Sequence, residues 1–258
     1  MKTPLLHALN LNGRGVVSLM GAGGKTTLMF QLANALQKIG KKVLTTTTTK
    51  IFMPPLSQSD TVILATDYEH LLLQLKIKLQ QTRHITAGAF LIKEVDKISG
   101  FSGDTVDGLW QSGVFDWIIV EADGAKRKPL KACNATEPVL PGCTSHLILV
   151  AGLDALERPL CEDHVHRALL FSQNSGLPLG QAIDTAHMAR GIAVEMEKND
   201  SLKSGVFKYV VLNKADTVQL EAKGMDIAAH LGVRGSCHRI IVAALESPVP
   251  VRKWYDMK

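Results

Sequence analysis

Met20-Gly21-Ala22-Gly23-Gly24-Lys25-Thr26-Thr27 follows the apolar run Val16-Val17-Ser18-Leu19-Met20 and opens a stretch with helical spacing. A strand, a glycine-rich turn ending in Gly-Lys-Thr and a helix together make a phosphate cradle. The glycines let backbone N–H groups converge on an anion, and the new helix aims its partial positive end at the same point. Lys25 is expected to reach the β- and γ-phosphates of a nucleotide, and the Thr26 hydroxyl to sit on Mg²⁺. The loop departs from the full P-loop pattern, which has a glycine five residues before Gly24; Leu19 stands there.

Two more strand ends carry chemistry. Asp116-Trp117-Ile118-Ile119-Val120 reads as a buried strand that delivers Glu121-Ala122-Asp123-Gly124. An acid at the tip of a second parallel strand is suited to the magnesium shell, so Glu121 and Asp123 join Thr26 as candidate metal residues. Gly124 is expected to offer its N–H to the γ-phosphate. Further on, Phe207–Leu212 reads as a strand ending in Asn213-Lys214-Ala215-Asp216. In GTP-binding proteins this Asn-Lys-x-Asp tetrapeptide reads guanine. The Asp216 carboxylate would accept two N–H bonds from the base edge, and the Lys214 stem would stack on the ring. Adenine offers no matching donors and would leave Asp216 unpaired.

The chain alternates strand and helix, which predicts an α/β fold with a mostly parallel sheet, helices on both faces, and a P-loop nucleotide-binding architecture. Expected strands are Gly15–Met20, Lys42–Thr47, Ile85–Ile92, Asp116–Val120, His146–Ala151, Lys208–Leu212 and Arg239–Ala243. Expected helices are Thr26–Ile39, Tyr68–Leu79, Gln181–Glu197 and Leu220–Leu231. The stretch Pro129–Pro141 reads as a long surface loop. One domain spanning 1–258 is expected, with a weak seam near Leu153.

The chain has 258 residues, of which 46% are hydrophobic and 21% charged, which argues against disorder. The net charge of +5 is dispersed apart from Lys126-Arg127-Lys128 and Lys131, and no stacking aromatics interleave with it. Nucleic acid is therefore not an expected partner. No apolar run is long enough to span a bilayer and no leader pattern opens the chain, so the expected compartment is the cytoplasm. Cys133, Cys143, Cys161 and Cys237 lie far apart and read as reduced thiols. The pair His164-x-His166, read as helical, falls on different faces and does not suit zinc.

The segments 21–27, Val43–Phe52, Val120–Lys131 and His166-Arg167 resemble the YqeC family, whose members are identified as accessory proteins of selenium-dependent molybdenum hydroxylases. The resemblance covers most of the chain. It implies a role in maturing such an enzyme or its cofactor, with a molybdenum hydroxylase or its maturation proteins as partners. It also singles out His166 and Arg167, as a substrate or interdomain contact or else a structural salt bridge, and supports Thr48, Thr49 and Lys50 at a strand end as holders of a metal-bound water or a substrate oxyanion. The residues themselves make Lys126, Arg127, Lys128 and Lys131, in one loop after the candidate magnesium acid, candidates to neutralise a transferred phosphoryl group or to clamp an anionic second substrate. More distantly, the Glu-x-x-Gly and Asn-Lys-x-Asp pairing resembles metallochaperone GTPases. The short loop is similar to that of Mur-type ATP-dependent ligases. The expected ligands are Mg²⁺ and GTP, with ATP open. A GTPase is the first expectation; an ATP-dependent ligase or kinase, or a non-catalytic docking module, are the alternatives.

Overall fold

The computed structural model describes residues 4–199, 202–233 and 235–257. The chain packs as two compact units. The first comprises Met1–Leu19, Thr26–Asp123 and Val139–His146; the second comprises Met20–Lys25, Gly124–Pro138 and Leu147–Lys258.

The first unit opens with a short helix α1 (Pro4–Ala8) and strand β1 (Gly15–Gly21), whose last two residues fall in the second unit. Helix α2 (Lys25–Lys38) follows, then β2 (Val43–Thr47), β3 (Lys50–Phe52), β4 (Val62–Leu64) and α3 (Tyr68–Lys78). Next come β5 (His84–Gly88), β6 (Phe90–Ile92), β7 (Lys97–Ser99), α4 (Gly103–Gln111) and β8 (Trp117–Glu121). Its parallel strands run in the order β1-β8-β2-β5-β4. β1, β2 and β8 are buried along their whole length, as expected of parallel strands covered on both faces. Leu44, Leu71, Leu75, Val106, Leu109 and Phe115 belong to the core that α3 and α4 complete. Register places Leu19 and Thr47 each opposite Glu121, so three strands deliver their C-terminal ends to one edge.

The expected strand 85–92 is two strands in two sheets. β5 joins the parallel array, while β6 pairs antiparallel with β7 in a small sheet ordered β3-β7-β6. No proline or charged residue interrupts 85–92, so the sequence carries no mark of the change of sheet. Helix α4 went unseen in the sequence because Gly103 and Gly108 lower its intrinsic propensity; the Ser102 side chain caps it by accepting from Thr105 N–H.

The second unit contains β9 (Leu130–Lys131), β10 (His146–Gly152, its first residue in the other unit), β11 (Val165–His166) and α5 (Ala168–Ser175). It closes with α6 (Thr185–Glu197), β12 (Phe207–Asn213), α7 (Val218–Gly232), β13 (Arg239–Ala243) and β14 (Val251–Asp256). Strands run in the order β10-β12-β13-β14, with β12 and β13 parallel and β14 antiparallel at the end. Two helix starts differ from the periodicity by a few residues, and caps set both. Asp184 accepts from His187 N–H and starts α6 at Thr185 rather than 181; Thr217 accepts from Leu220 N–H and starts α7 at Val218.

Two sequence expectations are corrected here. The stretch 129–141 is not all surface loop, because β9 pairs in parallel with β11 and Leu130–Cys133 are buried. His166 lies in strand β11, not on a helix. No helix among the described residues is long and apolar enough to cross a membrane, and Cys133, Cys143, Cys161 and Cys237 form no disulfide.

Candidate functional site

In the second unit, the loop after β1 is built by close approach. Gly23 has φ +77° and Gly24 φ +132°, backbone that side chains rarely tolerate. A Cβ on Gly23 would stand 2.3 Å from Gly152 N and 2.7 Å from Pro129 O. One on Gly24 would stand 2.3 Å from the side-chain nitrogen of Asn213. Ala22 N–H donates to Val150 O at 2.8 Å and Gly23 N–H to Lys128 O at 3.2 Å. Two of the loop's amides are thus used to shape it. Lys25 is buried, with Nζ donating to Gly21 O at 2.6 Å.

Asn213, the last residue of β12, locks that loop. Its Nδ2 donates to Gly23 O at 2.8 Å, and its Oδ1 accepts from Leu245 N–H at 3.0 Å. Ala215 N–H donates to Ala243 O at 2.9 Å, so the tetrapeptide is fixed to the end of β13. Lys214 adopts φ +67°, and its Nζ bonds Asp154 at 2.5 Å; Asp216 is exposed. Asp154 follows β10 and carries no sequence signal of its own.

In the first unit, Thr26 Oγ1 donates to Glu121 Oε2 at 2.7 Å. A hydroxyl beside a carboxylate is a hard-oxygen pair of the type that holds Mg²⁺, and Asp123 is fully buried two residues on. The threonine run serves mainly as internal glue. Thr47 Oγ1 donates to Glu121 O at 2.6 Å, and Thr48 Oγ1 donates to Val139 O at 2.7 Å. Thr47 and Thr49 hydroxyls lie 3.2 Å apart, Lys50 is exposed at the start of β3, and Thr27 is half-buried in the first turn of α2.

Of the candidate substrate residues in the second unit, Lys131 and Arg167 converge on one carboxylate. Lys131 Nζ donates to Glu137 at 2.6 Å and to Gly124 O at 2.7 Å; Arg167 Nη1 donates to the same Glu137 oxygen at 2.7 Å and to Ala132 O at 3.1 Å. Burial pushes the Glu137 carboxyl up, but the hydrogen bonds and charges of Arg167 and Lys131 outweigh it and hold it down at about 2. His166 is held down at about 4, first by burial and then by the charges of Arg167, Lys131 and Lys126. Lys126 and Arg127 are exposed on a turn that follows Gly124, where a Cβ would meet open space.

Sequence reasoning missed Glu137 and Glu195. Glu195 is a buried α6 carboxylate that accepts from Cys133 N–H at 3.0 Å, Asn174 Nδ2 at 2.8 Å and Lys198 Nζ at 2.8 Å. Neither sits in a short motif.

In overall fold the chain is similar to chloroplast FtsY from Physcomitrella patens, at 13% identity and TM-score 0.43 over 95% of this chain and 62% of that one. It is likewise similar to the cell division protein FtsY of Thermotoga maritima, at 15% identity and TM-score 0.42 over 98% of this chain and 71% of that one. In sequence it is 36% identical over 166 residues to the uncharacterized protein YqeC of Escherichia coli K12, covering 63% of this chain and 61% of that one. The chain thus spans less than two thirds of the plant protein and of the bacterial relative. The sequence profile of the YqeC protein matches residues 17–169, and the chain belongs to the YqeC family.

Proposed function

We propose that this chain binds a nucleoside triphosphate with Mg²⁺, guanine preferred, and hydrolyses it to assist maturation of a selenium-dependent molybdenum hydroxylase or its cofactor. The observation that carries the nucleotide part is the bond from Asn213 to Gly23 O, which ties an Asn-Lys-x-Asp strand end to a glycine loop within one unit. The loop would cradle the phosphates, with Lys25 turning from Gly21 O to the β- and γ-oxygens. Asp216, exposed beyond the same strand, would take the guanine edge. Thr26 and Glu121 would hold Mg²⁺, whose chemistry when bound is neutralisation of phosphate charge. Asp123 would order water beside them, and Gly124 would face the γ-phosphate. The maturation role rests on the family resemblance.

Calorimetric titration of the protein with GTP, ATP and xanthosine triphosphate, each with and without Mg²⁺, tests this. GTP is expected to bind tightest, and Asp216→Asn is expected to shift preference to xanthosine triphosphate. ATP binding that equals GTP and ignores Asp216 would instead move the chain to an ATP-dependent ligase or kinase.

A further inference from the structure

The segment after β8 contains a turn that no motif explains. Lys128 N–H donates to Ala125 O at 3.0 Å, and both central residues have left-handed backbone, Lys126 at φ +48° and Arg127 at φ +61°. This is the backbone sense of a type I′ turn, in which Asn-Gly or Gly-Gly is relaxed and two long basic side chains are strained. Strain of this kind concentrates where a loop holds a ligand.

The turn is fastened to the glycine loop. Lys128 O accepts from Gly23 N–H at 3.2 Å and Pro129 O from Gly152 N–H at 2.8 Å. Arg127 is therefore one residue, about 3.8 Å along the chain, from an atom that bonds the loop. Lys126 and Arg127, the two central residues of the turn, are both exposed to solvent.

We infer that the Lys126–Arg127 turn is a phosphate clamp, held in strained backbone against the glycine loop so that its two cations engage the terminal phosphate of the nucleotide. This rests on the nucleotide-binding reading above. It assigns to this turn the discrimination of a triphosphate from a diphosphate.

The test compares Mg²⁺-GTP and GDP affinities, with ATP and ADP in parallel, for the wild type, the Lys126→Asn/Arg127→Gly double variant and Arg127→Lys. The double variant is relaxed in this turn, so it is expected to fold and to melt roughly 2–4 °C higher. Its triphosphate affinity is expected to fall about tenfold or more, as loss of a charge-assisted contact implies, with diphosphate affinity unchanged. Arg127→Lys, which keeps the charge, is expected to retain most of the preference. A double variant with an unaltered triphosphate-to-diphosphate ratio overturns the clamp while leaving nucleotide binding intact. A wild type that binds none of the four nucleotides overturns both. Loss of triphosphate and diphosphate affinity together, with a lowered melting temperature, makes the turn purely structural and also overturns the clamp.

Discussion

The side-chain nitrogen of Asn213 lies 2.8 Å from the carbonyl oxygen of Gly23, and a methyl group on the next residue, Gly24, would stand 2.3 Å from that nitrogen. One amide therefore holds the loop's carbonyl and fills the space a side chain would need. Asn213→Ala would strand the Gly23 carbonyl and the buried Leu245 N–H together. Each orphaned group costs about 1–3 kcal/mol, so the variant is expected to lose about 2–6 kcal/mol in urea unfolding. Asn213→Asp removes only the donor to Gly23 and should weaken the loop while keeping the Leu245 bond. Equal stability of Asn213→Ala and wild type would show that the amide does not hold the loop.

Alanine at two glycines should separate architecture from ligand contact. At Gly23 a Cβ meets backbone atoms at 2.3–2.7 Å with φ +77°, so neither the neighbour nor the residue can give way. Gly23→Ala is expected to lose more than about 3 kcal/mol of stability, from overpacking added to left-handed strain. Gly124 has open space where its Cβ would go. Gly124→Ala is expected to melt within about 2 °C of wild type and to show any defect only with a triphosphate present. Circular dichroism melts with and without nucleotide decide it.

Glu137 carries two cations, and Lys131 is the more committed, with its side chain 1% exposed against 25% for Arg167. Glu137→Gln takes the carboxylate charge away from the buried Lys131 ammonium and leaves an amide oxygen in its place. Breaking a pair from one side costs about 3–5 kcal/mol when both partners are buried; with Glu137 partly exposed, about 2–3 kcal/mol is expected in denaturant unfolding. Lys131→Met removes charge and partner demand together and should cost less. A Glu137→Gln variant as stable as wild type would mean that Lys131 and Arg167 are held by something other than this carboxylate.

The strands that frame the site were legible because each is a short apolar run ending in a polar signature: Val16–Met20 into Gly21, Trp117–Val120 into Glu121, Tyr209–Leu212 into Asn213. Parallel strands buried on both faces write themselves in composition. What stayed hidden depends on partners distant in sequence. β9 and β11 are two residues each and exist only through one another. Glu137 gains its role from Arg167, thirty positions away. The threonine run illustrates the same limit. Its strand propensity was plain, but Thr48 donates to Val139 O and Thr47 to Glu121 O, contacts that no local pattern encodes.

Acid should destabilise the first unit through two histidines before its carboxylates matter. His84 is buried, with Nε2 3.0 Å from Thr45 Oγ1 and its ring edge-on to Phe30. Burial holds it down at about 4, only partly opposed by the Asp60 charge. His146, buried edge-on to Trp117 with Nδ1 2.9 Å from Ser145 Oγ, is likewise held at about 4 by burial. Both folded values lie below the unfolded value of about 6.5. The unfolded chain thus binds the extra proton first, and stability falls as pH drops from about 6.5 to about 4. Fully developed, each histidine accounts for roughly 3 kcal/mol by that linkage. In the second unit, Glu137 loses its contribution only lower, as pH falls from the usual carboxylate range toward about 2. Urea unfolding at pH 7, 6, 5 and 4.5 should give a slope approaching three protons, one each for His84, His146 and, in the second unit, His166. His84→Gln offers the Thr45 hydroxyl an amide of similar reach that does not titrate, and should flatten the slope by about one proton between pH 6 and 4.5. An unchanged slope in that variant would mean that His84 is not the buried neutral group its surroundings make it.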